Sequence, residues 1–139
     1  MKVWRIVLLT AAAILWNASA RAQVLVVANP GMSSDSISKS ELRDVFTGES
    51  SRLKGGLQVK PVLLKDGPTH SAFVSGDLSL SEAGLLICWR KQVFSGHSVM
   101  PRTFSSEADE VAYIAQTPGA IGYISASTSH DNVKVLQVR

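Results

Sequence analysis

The sequence predicts a single α/β domain, with helices on both faces of a mixed, mostly parallel sheet. Three observations point to it. Val24–Ala28 is a compact β-branched run closed by Asn29-Pro30-Gly31, the pattern of a buried strand running into a turn. Near the other end, Ala108, Val111, Ala112, Ile114 and Ala115 recur at helical spacing; Pro118-Gly119 then stops that helix and delivers the apolar run Ala120–Ile124. Between these, strand-like and helix-like stretches alternate, as a three-layer α/β domain requires.

The chain opens with Met1-Lys2-Val3-Trp4-Arg5, followed by an apolar core from Ile6 to Leu15. Small-x-small sites follow at Ala18-Ser19-Ala20 and Ala20-Arg21-Ala22. This order is that of a secretory signal peptide over 1–22, with an apolar core shorter than the ~20 residues a membrane span needs. Either site satisfies the cleavage pattern, and cleavage after Ala22 leaves a domain over 23–139. The expectation is a periplasmic protein with no membrane span after cleavage. The full chain carries 14 Lys+Arg against 11 Asp+Glu, a net charge of +3. Removing Lys2, Arg5 and Arg21 brings that net charge to zero, so no basic face for nucleic acid is expected. Cys88 is the single cysteine, set in the apolar run Leu85–Trp89, and is expected to be buried rather than reactive.

Each further element has its own signal. Ser38-x-x-Glu41 reads as a capping box opening a helix over Lys39–Phe46, with Leu42, Val45 and Phe46 inward and Gly48 at its end. Leu53-Lys54-Gly55-Gly56 is a turn, and Val59–Leu64 a strand whose Pro61 belongs at a sheet edge or a strand end. Lys65–Ser71 turns into a short helix carrying Ala72, Phe73 and Val74. Ser79-x-x-Glu82 predicts the longest helix, Leu80–Phe94, with Leu85, Leu86, Trp89 and Val93 as its buried stripe. His97–Thr103 reads as a connection. Ser106 caps the organising helix, Glu107, Asp109 and Glu110 suit its positive end, and Gly122 implies close packing inside the strand after it. Val133–Val138 is the last strand.

The sequence has no phosphate-binding loop, dinucleotide fingerprint or nucleophile elbow, and His70, His97 and His130 have no metal-ligand spacing. An enzyme is therefore not expected, nor a cofactor or metal. The one arrangement able to hold a ligand is the strand-to-helix turn at Lys65, Gly67, Thr69, His70 and Ser71. Helix-start amides, hydroxyls and the Lys65 ammonium together suit an anion, although an ordinary helix cap uses the same residue types.

Several stretches resemble phosphate-transporter substrate-binding proteins (PstS-like), in particular a short, single-domain branch. They are Val26–Ala28 with Asn29-Pro30-Gly31, Ser40–Gly48, Asp66-Gly67 with Phe73, Trp89-Arg90 through Phe94, and above all Thr117–Tyr123. The resemblance implies one lobe of a type II periplasmic binding protein. It also implies a phosphate contact at Gly67-Pro68-Thr69, where the family has a Ser-Gly-Thr turn preceded by an arginine. Lys65 is the nearest cation here, and Pro68 removes one amide donor, so weak binding of phosphate or another oxyanion is the expectation. The rival expectation is a periplasmic interaction module that keeps the fold, binds a protein partner and holds no ligand.

Overall fold

The structure is a computed structural model describing residues 23–139; the expected signal segment lies outside the described residues. Strand β1 (Val24–Ala28) leads through a polar loop to a two-residue strand, β2 (Ser36–Ile37), and then to helix α1 (Lys39–Phe46). Ser38 Oγ accepts from the Glu41 amide at 3.2 Å and bonds the Glu41 carboxylate at 3.1 Å, so the capping box forms as the spacing predicts. Strand β3 (Lys60–Leu64) follows, then helix α2 (Pro68–Ala72), which widens into a π turn over Phe73–Asp77. Helix α3 (Glu82–Phe94), strand β4 (Arg102–Phe104), helix α4 (Glu107–Gln116) and strands β5 (Ala120–Ser125) and β6 (Lys134–Val138) complete the order.

The six strands form one sheet in the order β2-β6-β1-β5-β3-β4. β3 runs parallel to both β4 and β5, and β2 parallel to β6, while β1 is antiparallel to β5 and β6. The predicted mixed, mostly parallel sheet is therefore the observed one. Alternation along β1 and β5 divides the core: Val26, Ala28, Ile121 and Tyr123 face α1, the π turn and α3. Val27, Ala120 and Ile124 face Val111 and Ile114 of α4. Pro61 lies in an interior strand, at the point where its missing amide costs nothing. Lys60 N–H bonds Gly119 O on the β5 side, so Pro61 N faces the β4 side, where pairing begins only at Val62–Arg102.

Four sequence expectations are corrected. The short strands β2 and β4 emerge from stretches read as loop and connection. Helix α3 starts two residues later than expected, because Ser81 and not Ser79 caps it, accepting from Gly84 N–H at 3.0 Å. Ser79 instead takes a left-handed φ of 53° in the turn before the helix, and Glu82 is drawn to His70. Of the predicted α3 stripe only Leu85 and Trp89 are buried, while Leu86 and Val93 are exposed. Cys88 is half-buried rather than enclosed. Among the described residues no single helix is long and apolar enough to cross a membrane.

Candidate functional site

β3 and β5 are parallel, so Leu64 and Ser125 end at the same edge of the sheet, the edge where α/β domains hold ligands. Lys65 leaves β3 with its amide bonded to Phe104 O at 2.8 Å. The chain reverses at Gly67, whose φ of 100° is open to glycine and strained for other residues. Pro68 then begins α2 at a position where a missing amide is harmless. Lys65, Gly67 and Ser71 are exposed, while Thr69 and His70 are turned inwards. The turn thus divides the five candidate residues into an outer set and an inner pair.

The inner pair has partners of its own. Thr69 Oγ1 donates to Glu107 Oε2 at 3.2 Å. The other oxygen of that carboxylate accepts from the Ser125 amide and, at 3.1 Å, from Thr128 Oγ1. Donors from α2, the end of β5 and the turn after it therefore converge on a single anionic group contributed by the first residue of α4. Hydrogen bonds to an ionised acceptor are the strong class, so this is a built oxyanion environment filled by the protein's own carboxylate. Lys65 forms neither of the two ion pairs found among the described residues.

His70, 4% exposed, belongs to a hydrogen-bonded chain that the sequence did not reveal. Tyr123 Oη accepts from Leu64 N–H at 2.9 Å and lies in hydrogen-bond contact with His70 Nδ1. His70 Nε2 lies 2.8 Å from Glu82 Oε2. The phenol donates its one proton to Nδ1, which leaves the Nε2 proton for the carboxylate. Burial pushes the Tyr123 phenol above its ordinary pKa, so it stays protonated. The ring is fully buried and stacks on Phe73 with centroids 3.8 Å apart, so it braces the site without reaching a ligand. The available signal was Tyr123 inside an apolar strand, since a buried phenol needs a partner.

A second carboxylate lies under the same strand. Glu110 is 0% exposed, with Oε1 accepting from Tyr123 N–H at 3.1 Å and Oε2 without a partner. Burial, reinforced by the negative charge of Glu107, pushes its carboxyl up to about 8, against the amide bond that favours ionisation. Gly122 makes the room: a Cβ there would run into that carboxylate and lie 2.8 Å from Ile114 Cδ1 and 2.9 Å from Val62.

No family model matches the chain, and no curated protein does. Solved structures do. A Clostridium perfringens protein, described as a phosphate ABC transporter substrate-binding protein and solved with bound phosphate, superposes with a TM-score of 0.66 at 18% identity over 83% of this chain. An ABC-type phosphate transport receptor from Vibrio cholerae gives 0.65 at 15% over the same share, and PstS from Borrelia burgdorferi 0.62 at 12% over 84%. This chain spans less than half of each of these, 44%, 45% and 47% of their lengths. At such identities the likeness lies in the architecture, and the chain has the fold of about half of a phosphate-transporter substrate-binding protein.

Proposed function

We propose that the chain is an exported binding domain with the fold of one lobe of a substrate-binding protein, and that it takes phosphate or a similar oxyanion weakly at the turn from Lys65 to Ser71. The observation that carries this reading is the convergence of Thr69, Ser125 and Thr128 on one anionic group at the carboxyl edge of the sheet. The shared fold, seen in one neighbour with phosphate bound, supports it. The helix-start amides, the Ser71 hydroxyl and the Lys65 ammonium meet the ligand from outside, and His70 positions the turn from beneath. Affinity is poor for two reasons. The anion is half in water, and the best donors are already held by Glu107, which a ligand must displace or share. A dissociation constant in the millimolar range, about −4 kcal/mol, is expected. No group here is arranged for catalysis, and the reading is of binding without turnover.

Phosphate titration of the purified protein, followed by amide chemical shifts and calorimetry, tests it. Shifts confined to 65–71 and to Ser125, weakened by Lys65→Ala and by salt, are the expected result. Glu107→Ala carries the sharper expectation. It frees three donors, so phosphate affinity rises by about tenfold, or 1.4 kcal/mol, while the fold loses about 1–3 kcal/mol of carboxylate hydrogen bonding. Silence at tens of millimolar phosphate in both proteins would end the proposal.

A further inference from the structure

The amino-terminal ends of β3 and β4 border a groove of about 800 Å³, at the opposite edge of the sheet from the Lys65 turn. Trp89, Val93, Pro101 and Tyr113 contribute apolar wall, with Lys60 and Arg102 among the lining residues. The indole of Trp89 is fixed by its N–H, which donates to Phe46 O at 2.9 Å. The guanidinium carbon of Arg102 lies 5.0 Å from the Tyr113 ring centroid and 5.9 Å from that of Phe104, within cation–π range of both rings. Val99 (84% exposed) and Met100 also line it, and α3, which supplies Trp89 and Val93, exposes Leu86, Ile87 and Phe94, the last 89% exposed.

The charge pattern identifies the occupant. No Asp or Glu is among the residues lining the groove, while Lys60 and Arg102 are. Neither of these cations takes part in an ion pair among the described residues. A concave apolar floor with unpaired cations suits an extended segment that brings aliphatic or aromatic side chains together with carboxylates. A flat bilayer surface would meet Phe94 and Val99 but leave the groove and its Trp89 floor unfilled. We propose that this groove is a docking site for an acidic, apolar peptide segment of a partner protein. The site stands apart from the oxyanion turn, and neither proposal depends on the other.

Selection of phage-displayed random 12-residue peptides on the purified protein tests it. Enriched sequences are expected to combine Asp or Glu with Phe, Leu or Trp. A synthetic peptide of the enriched pattern should shift amides at Trp89, Val93 and Arg102. In fluorescence anisotropy, Lys60→Glu with Arg102→Glu should weaken that peptide by about tenfold and favour its Lys-substituted version. Both positions are exposed, so the variant should keep its fold, and Val99→Asp provides a second, uncharged-to-acidic probe of the same wall. Enrichment without acidic bias, shifts outside the groove, or unchanged binding by the double variant would each overturn the proposal. So would binding of this face to phosphatidylglycerol vesicles, or self-association through it, in place of peptide binding.

Discussion

Gly122 and Glu110 form one device, a strand residue without a side chain over a helix residue with a buried charge-bearing one. Gly122→Val would force two methyl groups against Glu110, Ile114 and Val62, and a loss of about 1–3 kcal/mol is expected; a melting temperature equal to wild type would disprove the close packing. The carboxyl of Glu110 gives a pH signature. Its folded pKa of about 8 lies above the ordinary 4.5, so between those values the folded protein holds a proton the unfolded chain has released. The stability this group contributes should therefore be full below pH 4.5 and fall as pH rises towards 8, by a few kcal/mol in all. Glu110→Gln should flatten that slope, and thermal melts of both proteins from pH 5 to 9 read it directly. The sequence suggested the glycine's role, because an interruption in an apolar run signals close approach. It attributed Glu110 to the helix dipole, because charge in a first turn has an explanation that needs no burial. Which way that side chain points depends on the packing angle of α4, which no local pattern encodes.

At the scale of elements, the chain Leu64–Tyr123–His70–Glu82 ties β3, β5, α2 and α3 at the edge where the oxyanion turn sits. Tyr123→Phe keeps the ring stack but leaves the Leu64 amide and His70 Nδ1 unpaired in the core, and a loss of about 1–3 kcal/mol is expected by denaturant titration. Helices α1 and α4 and strands β1 and β5 were legible because each carries a buried stripe and a local cap or turn. Strands β2 and β4 were not, since two or three residues give no periodicity and their pairing depends on distant partners. Helix α3 misled for a different reason. Its apolar residues surround the axis, and the sequence contains no sign that one side remains uncovered.

Over the whole molecule the sheet separates two edges: the carboxyl ends of β3 and β5 with their anion-holding donors, and the amino ends of β3 and β4 with the basic groove. The fold class was readable from alternation alone, but the strand order was not, because β6 comes last in the chain and sits between β2 and β1. It is an interior strand, covered on its outer side by β2: Gln137 N–H bonds Asp35 O at 3.0 Å and Arg139 N–H bonds Ile37 O at 2.9 Å. Ending the chain after Asn132 should therefore remove the cooperative unfolding transition rather than trim an edge, and a truncated protein that melts like the full one would contradict this sheet order. The position of β6 also sets a clock. The pairs Val24–Ser125 and Val26–Leu136 join the two ends of the domain, so the sheet stays incomplete until β6 has been made. Such long-range pairing folds slowly, and a nascent chain whose sheet stays incomplete until β6 is made remains threadable for the export proposed above.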